Sequence, residues 1–459
     1  MSKKDGDFIK IIIIGAGKMG RYLASTLVHE KHNISVIDND VKIIEKLNTE
    51  LDVSVFEGNG LVVDTLLETD IKNTDIVISC MENDEDNILS CLFAKNLGAK
   101  NTIARVRNPE YIKSIHYMKN NLGINMIINP ELLTAKKIES TLKYSGNINS
   151  NYLAKGKVEL LEFKLKSDSP LINISLKEVR NKLKANVLVV AVERNEKVIV
   201  PNGDFIFLEN DNIIVTAKHN EITLMLKEMH TDYLKVKNVM IVGGSKIAYY
   251  LAKNLIEDKV KVKIVESDFE KCKKLDEILD KALIINGDGS DKNLLIEEGI
   301  ENIDAFVATT GIDEENVVYS MFANSINVPK VITKINHLNF SEVLENVGID
   351  NIITPHVVAS NHILRYIRSK ENSIGGNMET LLRFMDEELE IMEFKVNSSF
   401  KMCNKKLKNI KFKKNLIVVC IKRKNETVFP TGDDILEVDD NIIVSTTNHN
   451  IRGLNDILR

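Results

Sequence analysis

Apolar stretches alternate with amphipathic stretches from Lys10 to Ile128, and their spacing predicts strands that alternate with helices. Lys10–Ile14 is a short apolar run that a glycine turn ends, and Met19–Glu30 has the periodicity of an amphipathic helix. Further strands are predicted at Asn33–Ile37, Val53–Phe56, Ile76–Cys80, Thr102–Val106 and Ile124–Ile128, and further helices near Val41–Leu51, Asn87–Leu97 and Pro109–Asn121. This alternation is typical of a parallel, doubly wound sheet.

The next part of the chain has a different pattern, with short β-like runs around one helix. Strands are predicted at Val158–Lys164, Ala185–Arg194, Lys197–Val200 and Asn212–Thr216, with a helix near Leu176–Leu183. These elements predict a small α+β module of roughly 80 residues. The polar segment Ser140–Lys157 is predicted to be a connector, as is its longer counterpart, about His362–Glu388.

The chain contains an internal repeat that spans both parts. The segment Lys10–Gly20 is echoed by Asn238–Ala248 at an offset of 228 residues, and Pro201–Val215 is echoed by Pro430–Val444 at an offset of 229. A nearly constant offset over both parts predicts two copies of one two-part unit.

The predicted fold class is therefore α/β, with two Rossmann-like doubly wound parallel sheets, each followed by a small α+β module. We name the predicted units the first N-module (9–129), the first C-module (150–232), the second N-module (236–356) and the second C-module (385–459).

Composition excludes several functions. The net charge of −5 and the pI of about 6.1 argue against a nucleic-acid partner, which usually requires a strongly basic face. No two of the five cysteines form a Cys-x-x-Cys pair, and we expect them to be reduced thiols. The spacing of the nine histidines does not match that of a metal site. No stretch approaches the roughly 18 apolar residues of a membrane span, and no signal peptide is predicted.

The turn after the first predicted strand has the G-x-G-x-x-G spacing, in the residues Gly15, Ala16, Gly17, Lys18, Met19 and Gly20. Because it follows a strand and opens a helix, it predicts a dinucleotide site. Gly15 would permit the tight turn, Gly17 the close approach of a pyrophosphate, and Gly20 the packing of helix on strand. The alternative is a glycine turn that binds nothing.

Three further side chains are candidates for the same site. Asp38 ends the second strand and would accept hydrogen bonds from a ribose. This favours NAD(H), or another adenine nucleotide with a free ribose, over NADP(H). The alternative is that Asp38 only caps the next helix. Lys18 could reach a phosphate or lie in solvent. Arg105 ends a strand at the ligand-binding edge of the sheet, or forms a structural ion pair.

The second copy of the turn is degraded. Gly243 keeps the turn glycine and Gly244 follows it, but Ser245 replaces the glycine that phosphate approach requires. Glu266 keeps an acidic group at the ribose position. The sequence leaves open whether this second site binds nucleotide.

A family resemblance rests on the tandem duplication and on the segments Ile11–Ala24, Ser35–Asp40, Ile103–Tyr111, Ile285–Gly289 and Glu297–Ile300. In these features the chain resembles the regulatory subunits of Trk potassium-uptake systems (TrkA type). Those proteins are built from modules that regulate potassium conductance (RCK), in the order RCK-N, RCK-C, RCK-N, RCK-C. The resemblance covers nearly the whole chain.

The resemblance implies a nucleotide-sensing regulatory subunit that is not an enzyme. It implies NAD(H) as the ligand, with ATP or ADP as alternatives, framed by the glycine turn, Asp38 and the regions of Asn59 and Arg105. It also implies a homo-oligomeric ring, a tetramer, beneath a TrkH-type potassium translocator, in the cytoplasm and peripheral on the inner face of the cell membrane. The chain departs from the family pattern at Asn59, where Asp is more usual, and at Ser245.

The competing interpretation is an NAD-dependent oxidoreductase. A dehydrogenase presents a substrate pocket and a proton donor to the nicotinamide from a second domain. The part that follows the first N-module contains only His219 and His230 near its end, and the chain then repeats the dinucleotide fold. We therefore predict no catalytic residues.

Overall fold

The computed structural model describes residues 9–30, 32–112, 117, 121–143, 148–153, 158–195, 197–229, 236–337, 344, 348–349, 351–375, 378–385, 388–424, 426–448, 451 and 453–459. Within these residues, no helix is both long enough and apolar enough to span a membrane.

The first N-module is a six-stranded parallel sheet in the order β3-β2-β1-β4-β5-β6. The strands are β1 Lys10–Ile14, β2 Asn33–Asp38, β3 Ser54–Glu57, β4 Ile76–Ser79, β5 Asn101–Arg105 and β6 Met126–Ile128. The helices are α1 Lys18–His29, α2 Val41–Glu50, α3 Val63–Leu67, α4 Asp84–Asn96, α5 Pro109–Ile112 and α6 Pro130–Leu142. The strand order reverses beside β1, which creates the crevice where such sheets bind ligands.

The first C-module is a five-stranded antiparallel sheet in the order β10-β9-β11-β8-β7. Its strands are β7 Ile148–Leu153, β8 Val158–Lys164, β9 Leu188–Arg194, β10 Lys197–Ile199 and β11 Asn212–Ala217. The helices are α7 Val179–Lys182, which follows a 3-10 turn at Leu176–Glu178, and α8 His219–Glu228.

The second half repeats both architectures. Its parallel sheet has the order β14-β13-β12-β15-β16-β17, and its antiparallel sheet the order β18-β19-β22-β20-β21. The strands are β12 Asn238–Val242, β13 Lys261–Glu266, β14 Ala282–Asn286, β15 Ala305–Ala308, β16 Val331–Lys334, β17 Ile352–Ile353, β18 Met378–Phe384, β19 Leu389–Lys395, β20 Leu416–Arg423, β21 Glu426–Val428 and β22 Asn441–Thr446. The helices are α9 Lys246–Glu257, α10 Phe269–Ile278, α11 Lys292–Glu297, α12 Asp313–Ser325 and α13 Pro355–Gly375.

The two N-modules exchange their last helices. Ala135, Ile138 and Leu142 of α6 pack in the hydrophobic core of the second N-module. Ala359, Ile363, Leu364 and Ile367 of α13 pack in the core of the first. Because burial of several aliphatic side chains contributes roughly 1.5–3 kcal/mol each, this exchange joins the two sheets into one body.

The two C-modules pack sheet against sheet through one apolar cluster. Val158, Leu160, Val190 and Ile214 of the first C-module and Leu389, Ile391, Val419 and Ile443 of the second belong to the same buried core. Each half of the chain therefore contacts the other twice, once between the N-modules and once between the C-modules.

The predicted fold class is confirmed, but the two predicted connectors are wrong. Ser140 lies in α6, and the polar segment that follows forms the edge strand β7. In the second half, most of the predicted connector is the long helix α13 and strand β18. Helix α5 covers the start of the predicted helix Pro109–Asn121, and much of the remainder lies outside the described residues.

Candidate functional site

A cavity of about 1140 Å³ lies between the two N-modules. The first N-module lines it with Gly15, Gly17, Lys18, Met19, Asp38, Asn59 and Arg105. The second lines the opposite side with Ser245, Lys246, Thr310, Lys334 and His356. This volume slightly exceeds the roughly 300–1,000 Å³ of typical small-molecule sites, so a nucleotide-sized ligand fits.

The first glycine loop has the geometry of a phosphate cradle. Gly15 has φ +93°, and a Cβ there would lie 2.9 Å from the Met81 nitrogen, so the turn requires glycine. A Cβ on Gly17 would meet no protein atom within 4 Å, because this residue faces the cavity. A Cβ on Gly20 would lie 2.0 Å from the Gly15 oxygen, so this glycine lets α1 approach the turn.

The first turn of α1 opens on this cavity. Gly17 is the N-cap of α1 but offers no side-chain cap, and Lys18 and Met19 follow it on the cavity wall. The unpaired N–H groups and the partial positive charge of a helix N-terminus favour an anion. Lys18 is exposed and makes no hydrogen bond or ion pair with any described residue.

Asp38 is held by the backbone on both carboxylate oxygens. Oδ2 accepts from the Ala16 N–H at 2.6 Å and Oδ1 accepts from the Asp40 N–H at 2.9 Å. Asp38 is not the cap of α2, because Asp40 accepts from Lys42 N–H at 2.9 Å in that role. Each carboxylate oxygen can accept a second hydrogen bond, and Asp38 faces the cavity, where a ribose could donate one.

Asn59 lies at the same end of the cavity, in a turn after β3. Its Oδ1 accepts from the Leu61 N–H at 2.9 Å. A Cβ on Gly60 would lie 2.2 Å from Cγ2 of Ile14, so the turn packs directly on the central strand. The arrangement places the Asn59 amide beside Asp38 on the cavity wall.

Arg105 is half-buried on the cavity wall, and the structure gives it no ion pair among the described residues. Nη1 donates to the Met81 oxygen at 3.2 Å, and the buried Nε has no hydrogen-bond partner. Burial lowers the pKa of Arg105, and the neighbouring Arg107 lowers it further, although Glu131 opposes this shift. Arg107 rather than Arg105 forms the structural pair, with Glu131 at 2.7 Å.

The second glycine loop has the same backbone but different side chains. Gly243 has φ +98°, and Glu266 accepts from the Gly244 N–H at 2.7 Å and from the Asp268 N–H at 2.8 Å. Ser245 caps α9 by accepting from the Ala248 N–H at 3.3 Å. Glu266 is 8 % exposed and, with Gly243 and Gly244, does not line the cavity, whereas Ser245 does.

Sequence reasoning missed the cavity residues of the second N-module, Lys246, Thr310, Lys334 and His356. The repeat offset could have found Lys334, because it is 229 residues after Arg105 at the end of the equivalent strand. Nothing in the local sequence indicates that both crevices open on one cavity, since that depends on the exchange of α6 and α13.

The described residues contain no group of three or more His, Cys, Asp or Glu side chains placed to hold a metal ion. Cys80 lies on the cavity wall, but its Sγ donates to the Gly15 oxygen, and burial raises the pKa of the thiol to about 12. A thiol with this pKa is a poor nucleophile near neutral pH.

Two domain families match this chain, each of them at two places. The TrkA-N domain family matches residues 11–130 and 239–355, and the TrkA-C domain family matches residues 160–230 and 391–459.

Two relatives illustrate the similarity. The chain is 31 % identical over 444 residues to the Trk system potassium uptake protein TrkA homolog 1 of Methanosarcina mazei, covering 95 % of this chain and 97 % of that protein. It is 29 % identical over 444 residues to the Trk system potassium uptake protein TrkA of Vibrio alginolyticus, covering 96 % of both.

Solved structures share the fold at low sequence identity. The GsuK RCK domain superposes with a TM-score of 0.62 at 15 % identity, covering 97 % of this chain and 94 % of that one. The GsuK channel bound to NAD gives a TM-score of 0.64 at 15 % identity, covering 97 % and 78 %. Since two domain families match in tandem and a relative is similar over its whole length, the chain belongs to the TrkA family of Trk potassium-uptake proteins.

Proposed function

We propose that the chain is the nucleotide-sensing regulatory subunit of a potassium-uptake system and that it binds NAD(H), ATP or ADP in the cavity between its N-modules. The observation that supports this most is the first glycine loop, in which Gly17 leaves open space where the α1 N-terminus meets the cavity. Asp38 and Asn59 offer acceptors for a ribose at the same site. The GsuK channel, which has a related fold, is described as bound to NAD.

Ligand binding would be coupled to the arrangement of the modules through α13. Pro355 and His356, at its start, line the cavity, and the body of α13 packs in the core of the first N-module. The helix then leads into β18 of the second C-module. A ligand shifts an equilibrium between two arrangements by its differential affinity for them, so a ligand that contacts α13 in only one arrangement would favour that arrangement.

The partner would be a membrane potassium translocator of the TrkH type. The chain would form a homo-oligomeric ring of its modules, a tetramer, and lie in the cytoplasm against the inner face of the cell membrane. Support for the partner class comes from family membership, because the relatives are named as potassium-uptake proteins. Light scattering of the purified chain measures the oligomer, and a mass other than four chains would contradict the tetramer.

The chain would act without catalysing a reaction. The wall opposite the first glycine loop belongs to a second dinucleotide module rather than to a substrate domain, which supports regulation over an oxidoreductase.

The decisive experiment has two parts. Calorimetric titration of the full chain with NADH, NAD, ADP and ATP is expected to give saturable binding that Asp38→Ala weakens. Potassium flux through proteoliposomes that contain the translocator is then expected to depend on the bound nucleotide. Absence of binding by all four nucleotides would refute the proposal, and oxidation of NADH on addition of a small carbonyl substrate would favour the oxidoreductase.

A further inference from the structure

The wall of the cavity that belongs to the second N-module carries a buried lysine. Lys334 is the last residue of β16 and only 8 % exposed, yet it lines the cavity. Its Nζ donates to the Thr310 oxygen at 2.8 Å, as Arg105 donates to the Met81 oxygen at the equivalent place in the first N-module. The two cations therefore end equivalent strands and face one cavity from opposite modules.

No described carboxylate lies within ion-pair distance of the Lys334 ammonium. Asp313 is the acid whose charge acts on it, but Asp313 already accepts from the Asn336 N–H at 2.8 Å and pairs with the His337 ring at 3.0 Å. Burial lowers the pKa of Lys334, and the charge of Lys18 lowers it further. A buried ammonium that lacks an anion is unfavourable unless a ligand supplies the charge.

Two other basic groups line the same cavity as Lys334. Lys18 comes from the first glycine loop, and its charge acts on both Lys334 and His356. His356 lies near the start of α13, half-buried, with its ring edge-on to Tyr22 at 5.9 Å between ring centroids. Burial lowers the pKa of His356, and Lys18 lowers it further. Groups from both N-modules thus form one basic cluster, which we define as Lys18, Lys334 and His356.

We propose that this basic cluster is an anion subsite that takes the terminal phosphate of a nucleoside di- or triphosphate held at the first glycine loop. The proposal rests on the nucleotide site proposed above and adds a contact from the second N-module. A phosphate group offers several acceptor oxygens and up to two negative charges, which match two ammonium groups and an imidazole. Lys334 would be the specificity-determining residue, because its position is fixed by burial, whereas Lys18 is exposed.

The subsite would discriminate ligands by charge at the end distant from the adenosine. AMP has no phosphate beyond the one at the glycine loop, so its affinity would not depend on Lys334. ATP would gain the contact, and the oxidised nicotinamide ring of NAD, which is cationic, would be repelled by the basic cluster. The ratio of ATP affinity to AMP affinity therefore measures the subsite directly.

The test compares Lys334→Gln with two matched variants by calorimetry on the full chain. Lys334→Gln is expected to reduce the ATP affinity about 10- to 150-fold, as for loss of a charged hydrogen bond, and to leave the AMP affinity unchanged. Lys334→Arg keeps the charge and is expected to retain the ratio. Lys330→Gln changes another buried lysine, immediately before the same strand and outside the cavity lining, and is expected to leave the ratio unaltered.

Competition by inorganic phosphate tests whether the basic cluster binds a phosphate group that is not part of a nucleotide. Phosphate that competes with ATP but not with AMP would support the subsite. An equal loss of ATP and AMP affinity in Lys334→Gln, or an unchanged ratio, would overturn it while leaving the nucleotide site intact. Failure of the proposed nucleotide site is distinct, because the unmodified chain would then bind neither ATP nor AMP.

Discussion

Replacement of Gly17 by serine should separate folding from ligand binding, because the second glycine loop already contains that serine. Ser245 occupies the equivalent position and caps α9, whereas Gly17 leaves α1 without a side-chain cap. Gly17 has φ −64°, which any residue adopts, and a Cβ there meets no protein atom within 4 Å. Gly17→Ser is therefore expected to fold normally.

Gly17→Ser is expected to leave the stability equal or slightly higher and to weaken nucleotide binding. A serine N-cap exceeds glycine by only a few tenths of a kcal/mol, so the melting temperature should stay equal or rise slightly. The new hydroxyl would accept from the Gly20 N–H, as Ser245 accepts from Ala248, and its Cβ would project towards the cavity. Loss of one hydrogen bond to a charged phosphate weakens binding by about 1.5–3 kcal/mol, or about 10- to 150-fold.

Calorimetric titration with NADH and ADP measures the affinity, and thermal unfolding of the same samples measures the melting temperature. Gly17→Ala is the matched control, because it adds the Cβ without the hydroxyl that competes for the Gly20 N–H. Weaker binding in both variants would assign the effect to obstruction, and weaker binding in the serine variant alone would assign it to capping. Unchanged affinity in Gly17→Ser would refute the reasoning that phosphate approaches this loop.

Three further predictions address the ribose contact, pH and the membrane. Asp38→Ala should weaken NADH binding about 10- to 150-fold with native circular dichroism, and unchanged calorimetric affinity would contradict a ribose contact. Burial lowers the pKa of Lys330 from 10.5 to about 8, so between these pH values the unfolded state binds more protons than the folded state. The free energy of unfolding should therefore rise with pH in this range. Urea denaturation of Lys330→Met should show a smaller rise, and an unchanged dependence on pH would contradict this account. The chain should float with translocator-bearing liposomes at moderate salt; equal flotation with bare anionic liposomes would instead indicate lipid binding through the lysine-rich segment Lys401–Lys414.

The parallel sheets could be predicted because their signal is local. The run Lys10–Ile14 is buried at four of its five positions and ends at a glycine with positive φ, so apolar run and turn coincide with strand and loop. The glycine spacing and the carboxylate of Asp38 also follow from short sequence patterns. Each of these features depends on residues that lie within one βαβ unit.

The segments predicted as connectors depend on distant partners. Strand β7 has the polar sequence INSNYL and lies at the edge of its sheet, where it pairs with β8 and needs no alternation of apolar residues. Helix α13 buries Ala359, Ile363 and Ile367 against a module that begins some 350 residues earlier in the chain. Periodicity within a short window cannot identify such a partner, so neither the exchanged helices nor the shared cavity could be predicted.

The two copies differ in their glycine loops but both keep a cation at the end of the equivalent strand. One explanation covers both facts, which is that the crevices of the two N-modules open on one cavity. In the second copy Ser245 satisfies its own helix, and Glu266 is buried beneath its loop with both oxygens bonded to backbone N–H groups. These changes oppose a second pyrophosphate, because the hydroxyl and the Cβ occupy the approach. Lys334 nevertheless keeps a cation at the place of Arg105 and directs it to the shared cavity. The second N-module is thus better suited to complete the proposed ligand site of the first than to duplicate it, which would make the contact between the modules itself sensitive to the ligand.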